Sequence, residues 1–335
     1  MIYSHISDAI KTPHLVKLDN HFYVARFESM KIYSTLAAVK LLLEQGKIKT
    51  SDTLLDSSSG IYAYALALAC QKYGLKCHII ASKTVDETLK TQLEMMGAII
   101  EPAASAPNLK LDQENRVKRI HELLNERDDI HWMQQYHDDI HYEGYREFAE
   151  LIIQHFDYPE ISIVGGVGSG CSTGAIATYL RDMGMKVNLH GIQPFGSVTF
   201  QSDHLEDPGI IIAGIGSAIH FNNVRHHLYN YIHWISFDYS AIGAINLLKQ
   251  HGIFAGLSSG SGYTVGKWLN QNSNTPCLFI AADTGHRYTK PVFQDFANEQ
   301  VDLNEPLAPT LIHSIKQLKL PWSYMPWQEQ FHKIA

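Results

Sequence analysis

Short apolar runs alternate with longer stretches of helical period along most of this chain. β-Branched and aromatic residues predict two short strands, at 12–18 and 22–27, about a polar turn. Over 31–46, Leu36, Val39, Leu42 and Leu43 fall on one helical face, and Gly46 stands where a C-terminal cap belongs. The alternation continues with strands at 53–56, 76–81 and 97–100 and helices at 61–73 and 85–96. An Ala/Pro/Ser linker at 102–108 precedes an amphipathic helix at 109–126, a strand at 132–136 and a helix at 142–156. The apolar strand 161–164 runs through a glycine-rich turn into a helix at 173–180. Strands at 187–192 and 231–237, an apolar glycine-bounded segment at 209–216 between them, a helix at 240–251, a glycine/serine turn at 256–260 ahead of a further helix, and a strand at 277–282 complete the pattern. Residues 304–335, with four prolines and with Trp322 and Trp327, predict a tail lying on the body or on a partner. Such alternation implies an α/β protein with mostly parallel, buried sheets. Small-residue turns at 57–60, 165–172 and 256–260 each follow a strand and precede a helix. In open α/β sheets such turns gather at the carboxyl edge, so one site can draw on all three.

Composition narrows the function classes. The 335 residues are 45% hydrophobic and 18% charged, an ordinary globular composition whose length suggests two lobes. A net charge of −7 and the lack of a dense Lys/Arg cluster argue against nucleic-acid binding. Cys70, Cys77, Cys171 and Cys277 are scattered, which fits a reducing cytoplasm and neither a disulfide framework nor a zinc site. No apolar run is long enough to span a bilayer, and the first residues do not form a signal peptide. Nineteen histidines invite a metal reading, but neither His137/His141 nor His226/His227 forms a His-Glu-x-x-His pattern, so no metal site is expected.

The chemistry concentrates in Gly165-Gly166-Val167-Gly168-Ser169-Gly170-Cys171-Ser172. Glycines let the main chain approach a ligand, and the N–H groups of the following helix point at an anion. Ser169 and Ser172 add hydroxyl donors. The plainer alternative is a tight turn without a ligand, which four glycines between 165 and 170 disfavour. A dinucleotide fold fails on detail, because Cys171 replaces the third glycine of G-x-G-x-x-G and no acidic residue ends the next strand. No Gly-Lys-Ser/Thr is present for a nucleoside triphosphate. A small phosphorylated ligand remains.

The order of motifs resembles the cysteine synthase/cystathionine β-synthase family of fold-type II enzymes that use pyridoxal phosphate. Gly168-Ser169-Gly170-Cys171-Ser172 stands at that family's Gly-Thr-Gly-Gly-Thr phosphate cup, and Ser58-Ser59-Gly60 at its Thr-Ser-Gly-Asn-Thr-Gly substrate loop. Gln135-Tyr136 matches Gln-Phe, and Gly214-Ile215-Gly216 matches Gly-Ile-Gly. Gly256-Leu257-Ser258-Ser259-Gly260 matches Gly-Ile-Ser-Ser-Gly, and Asp283-Thr284-Gly285-His286-Arg287-Tyr288 matches Asp-x-Gly-x-Arg-Tyr. The resemblance runs from residue 12 to about residue 288. It implies two open parallel-sheet α/β lobes with the cofactor in the cleft between them. The smaller, mobile lobe is 33–137 and carries the substrate loop. The larger is 1–32 with 138–303 and carries the phosphate cup, and 304–335 is the C-terminal tail.

The resemblance also assigns roles. Lys31, at the start of the first long helix, is the lysine that forms the Schiff base and then moves the α-proton, which requires an amine that burial helps to deprotonate. Gly168, Ser169, Gly170, Cys171, Ser172 and Gly216 bind the cofactor, with Ile61 beside them where the family has asparagine. Ser258 faces the pyridine nitrogen with a neutral hydroxyl, or serves as a helix N-cap. Ser58, Ser59, Gly60, Tyr62 and Gln135 bind the substrate. A hydroxyl does not force the ring nitrogen to be protonated, which favours loss of a β-leaving group over racemisation or transamination. The implied reaction is β-replacement on serine, O-acetylserine or O-phosphoserine through an aminoacrylate, giving cysteine or another β-substituted alanine, in a homodimeric cytoplasmic enzyme. Pro194-Phe195-Gly196-Ser197-Val198 resembles the branches that make cystathionine and 2,3-diaminopropionate, which accept an amino acid as nucleophile. The substrate side departs from the family at Ile61 and Tyr62, at Ile32-Tyr33 after the lysine, and in a shortened segment between Glu28 and Lys31. A β-eliminase or racemase of the same fold, or a cofactor-binding scaffold without activity, stays open.

Overall fold

The computed structural model describes residues 2–58, 60–82, 85–104, 106, 109–209, 212, 214–295 and 307–328. The chain begins with α1 (Ile6–Ile10), β1 (His14–Asp19), β2 (Phe22–Arg26) and α2 (Lys31–Glu44). It continues through β3 (Thr53–Ser57), α3 (Ile61–Tyr73), β4 (Lys76–Ala81), α4 (Glu87–Met95), β5 (Ile99–Pro102), α5 (Leu109–Glu126) and β6 (Ile130–Trp132). The second half runs α6 (Tyr145–His155), β7 (Glu160–Gly166), α7 (Cys171–Asp182), β8 (Lys186–Gln193), β9 (Tyr231–Ile235), α8 (Phe237–His251), α9 (Leu257–Asn272) and β10 (Cys277–Ala281). It closes with β11 (Thr310–Leu311) and β12 (Trp322–Pro326).

Two sheets result. The smaller, ordered β5-β4-β3-β6, is parallel throughout. The larger is ordered β1-β2-β10-β7-β8-β9-β12-β11, and only β1–β2 and β12–β9 pair antiparallel. This is the α/β architecture that the alternation implies. β7 and β10 are covered on both faces, which is why they read as unbroken apolar runs rather than alternating ones. On α2 the stripe Leu36, Val39 and Leu42 is buried against α3 and the small sheet, with Leu43 at its margin. The helix stops at Gly46, whose φ of 66° is cheap only for glycine.

Three elements differ from the sequence expectation. The strand near Trp132 occupies Ile130–Trp132 and does not extend to Tyr136, because the chain turns at Gln134, whose φ is 50°. The buried Asp56 carboxylate holds that turn by accepting the Gln135 N–H at 3.0 Å. α8 starts at Phe237 rather than Ser240, since the Ser236 hydroxyl caps it by accepting the Tyr239 N–H at 3.3 Å. The tail does more than lie on the body, because β12 adds to the large sheet antiparallel to β9, from Trp322 opposite Ile235 to Pro326 opposite Tyr231. Trp322 and Trp327 are 1% and 2% exposed within this chain, so neither is available to a partner.

Candidate active site

The site grows from the carboxyl ends of β2, β7, β10 and β3. Past β2 the chain pairs with the segment after β10: Phe27 N–H donates to Ala281 O and Met30 N–H to Ala282 O, both at 2.9 Å, and Ser29 forms a bridge with Asp283. These contacts fix the start of α2 and place Lys31 over the sheet edge. Past β7, Gly170 takes φ 84° and opens α7 without a side-chain cap among the described residues. The first N–H groups of α7 and its positive dipole end are thereby left facing a cavity. A Cβ on Gly168 would stand 2.3 Å from the Gly214 carbonyl oxygen, and one on Gly170 2.6 Å from that of Asn223. Both contacts are with backbone, so only glycine lets this loop lie so low.

One cavity collects Lys31, Gly168, Ser169, Ser172 and Ser258 from the large-sheet side with Gly60 and Ile61 from the small-sheet side. Lys31 Nζ donates to Ser169 Oγ at 3.0 Å, which joins the amine to the cup. Burial holds the Lys31 amine below the ordinary lysine range, partly offset by the nearby Cys171 thiol. Ser258 is in the first turn of α9, so the predicted 256–260 turn is a helix start capped by Gly256.

Other predicted residues stand outside this cavity. Cys171 is buried, with its thiol toward Gln135 O at 3.6 Å, and burial pushes that thiol up. Gly216 donates its N–H to Val167 O at 2.9 Å and packs on Pro194, while its neighbours Gly214 and Ile215 line the cavity. Ser58 Oγ accepts the Gly60 N–H at 3.3 Å, within the loop itself. Tyr62 is buried edge-on against the His141 ring at a centroid distance of 5.7 Å. The Gln135 side chain donates to Ser57 O at 2.8 Å, holding the loop from behind. Ser59 lies outside the described residues.

The sequence reading missed Asp283 and Arg287, which line the same cavity. Their signal was the Asp-x-Gly-x-Arg-Tyr match at the end of the last parallel strand, a place where α/β sites gather. It also missed Asp56, 1% exposed beneath the 57–60 turn, which accepts from Ser57 N, Gln135 N and Trp132 Nε1 at 2.7, 3.0 and 3.2 Å. Burial raises its carboxyl to about 6 despite those donors. A charge inside the apolar run of β3 was its signal. Outside the cavity lining, Ser197 Oγ donates to Gln193 Oε1 at 3.0 Å and accepts the Ser217 N–H at 3.0 Å.

The donor set suits a phosphate at the α7 end, an aldehyde at Lys31 and a ring nitrogen at Ser258, so the residues present fit pyridoxal phosphate. The fold and the site define an α/β enzyme built to hold a phosphorylated cofactor at the carboxyl edge of a parallel sheet. Residues 3–277 match the family described as "Pyridoxal-phosphate dependent enzyme", and this chain belongs to it. It is 30% identical over 263 residues to an N-(2-amino-2-carboxyethyl)-L-glutamate synthase of Cupriavidus metallidurans, covering 76% of this chain and 75% of that one. It resembles in fold an O-acetylserine-dependent cystathionine β-synthase from Helicobacter pylori, with TM-score 0.76, 22% identity, and 88% of this chain and 99% of that one covered. A cysteine synthase from Entamoeba histolytica gives TM-score 0.77 at 18% identity, covering 90% and 94% of the two chains. No helix among the described residues is long and apolar enough to cross a membrane, and no cluster of metal-ligating side chains occurs among them.

Proposed function

We propose that this enzyme replaces the β-substituent of an O-activated serine with the amino group of a second amino acid, such as glutamate. The convergence of Lys31, the uncapped start of α7 and Ser258 on one cavity carries the reading. The Cupriavidus relative supports the choice of nucleophile, since its name describes an aminocarboxyethyl group joined to glutamate. Bound pyridoxal phosphate supplies an electron sink for the substrate's α-carbon. The α7 amides with Ser169 and Ser172 hold its phosphate, Lys31 holds its carbonyl end, and Ser258 offers the ring nitrogen a neutral hydroxyl. Lys31 Nζ, whose charged form burial disfavours, takes the α-proton and later returns one. Gly60 and Ile61 close the substrate side, and Asp56 with Gln135 holds their loop in place. The four cysteines are free and buried, which suits a reducing cytoplasm. The homodimer rests on the family resemblance, and light scattering tests it.

The test is a product screen. Purified holoenzyme is incubated with L-serine, O-acetyl-L-serine or O-phospho-L-serine, with and without L-glutamate, and products are identified by mass spectrometry. The expected result is a condensed amino acid formed only when both substrates are present. Pyruvate and ammonia alone would make the enzyme a β-eliminase, and an unreactive, cofactor-loaded protein would make it a scaffold.

A further inference from the structure

A second cavity shares Gly60, Ile61, Asp283 and Arg287 with the cofactor cavity and extends outward between the small sheet and the 283–287 loop. Its outer wall is Tyr64 and Gln92 on one side and Thr284 and His286 on the other. Asp283 is the carboxylate common to both spaces. Its backbone is tied to Ser29, two residues before Lys31, and the adjoining Thr284 is tied to Ala255 just ahead of α9. Its carboxyl packs on Gly256, where a Cβ would come within 2.5 Å of Oδ1. That Oδ1 is buried and finds no hydrogen-bond partner among the described residues. Leaving a buried carboxylate oxygen unpaired is costly unless a ligand completes it.

We propose that the outer cavity receives the amino-acid nucleophile and that Asp283 is a catalytic base, taking through Oδ1 the proton that the incoming ammonium group must lose. The proposal rests on the β-replacement reading above. An amino acid arrives as an ammonium ion with no lone pair to offer. Transfer of one N–H proton to Asp283 frees that pair, which forms the C–N bond at the substrate's β-carbon after the leaving group has departed with its bonding electrons. The electrons of the closing step return to the α-carbon, which takes its proton from Lys31 Nζ. Asp283 then yields its proton to solvent. Arg287, whose Nη1 would lie 3.5 Å from a Cβ on Gly60, gives the cavity a cation for the nucleophile's carboxylate. Burial raises the Asp283 carboxyl to about 7, against the pull of Arg287 and a backbone N–H from Gly256. That suits a group that gains and loses a proton near neutrality. The charged and titratable groups lining the shared space with it are Glu28 and Lys31 before and at the start of α2, Tyr64 on α3, Asp86 ahead of α4, and His286 and Arg287 on its own loop, while α9 offers only Gly256 and Ser258.

Holoenzyme and its Asp283→Asn variant are compared with O-acetyl-L-serine and two nucleophiles, L-glutamate and azide. Azide is an anion with no proton to surrender. Asp283→Asn is expected to lose condensation with L-glutamate by about 10²-fold, within the range of general-base effects, and to divert substrate to pyruvate. Its azide product should form at close to the wild-type rate, and its resting visible band should not move. Equal losses with both nucleophiles, or no loss with L-glutamate, overturn the proposal. A displaced resting band places the carboxylate against the cofactor ring and also overturns it. If the variant fails to hold cofactor, wild-type pH profiles decide. A limb rising through about pH 7 with L-glutamate and absent with azide supports the base, and the same limb with both excludes it. A wild-type enzyme that condenses no nucleophile at all defeats the β-replacement reading and this inference together. Condensation that the variant leaves intact defeats only the inference.

Discussion

Lys31 gains its chemistry from position rather than from residue type. A lysine at a helix start faces the positive end of the dipole, and here burial adds to that disadvantage by disfavouring its charged form. The Ser169 hydroxyl, 3.0 Å away, gives the amine a partner that adds no countercharge. Lys31→Ala is expected to remove the visible band of lysine-bound cofactor and to lower turnover by at least about 10²-fold, the lower bound for a lost proton-transfer group. An unchanged spectrum would assign the role to another lysine. Asp56 works through stability. Its carboxyl stands at about 6 in the folded chain, above the unfolded value of about 3.9. The folded state therefore holds the proton more tightly between those values. The resulting stability is complete below about pH 3.9 and is lost as pH rises through about 6, a change of about 3 kcal/mol for two pK units. Asp56→Asn removes the titration. Melting temperatures measured from pH 4 to pH 7 should show wild type losing ground to the variant as pH rises. A constant difference would show that the carboxylate does not titrate in this range.

At the scale of elements, the turn into α7 was legible because its requirement is local. Gly170 needs φ 84°, and Gly168 meets the Gly214 carbonyl so closely that a side chain has no room. Gly168→Ala is expected to push the two backbones apart, costing about 1–3 kcal/mol and weakening cofactor affinity more than tenfold in a titration of the apoenzyme. Retained affinity would mean that the cup tolerates a raised loop. The 57–60 turn was less legible, because the side on which a residue faces depends on where its strand ends. Ser58 and Gln135 turn inward to bond the loop itself, Tyr62 packs on His141, and Gly60 and Ile61 face the cavity. The cause is Asp56, whose buried carboxylate draws the Gln135 N–H and ends β6 early. No periodicity reports a long-range hydrogen bond of that kind.

At the scale of the whole molecule, the strand in the tail is the part that local pattern did not show. Proline-rich segments seldom enter sheets, since proline cannot donate to a ladder. Here Pro326 ends β12, and β12 covers what would otherwise be the open edge of β9. Trp327 seals the arrangement: its backbone N–H donates to Asn230 O at 2.8 Å, and its ring lies edge-on to Phe200 at a centroid distance of 5.0 Å. Trp322 Nε1 donates to His233 Nδ1 at 3.3 Å on the neighbouring register. Because both indoles are buried within one chain, truncating either is a test of folding and not of assembly. Trp327→Ala is expected to destabilise by about 3–5 kcal/mol, the usual cost of emptying a buried aromatic site. Denaturant unfolding measures that loss, and light scattering on the folded variant should give the wild-type mass. A variant of wild-type stability but smaller mass would return the tail to a partner interface. A less stable variant of unchanged mass fits a tail that completes the sheet at whose edge Lys31, the Gly168–Ser172 turn and Asp283 meet.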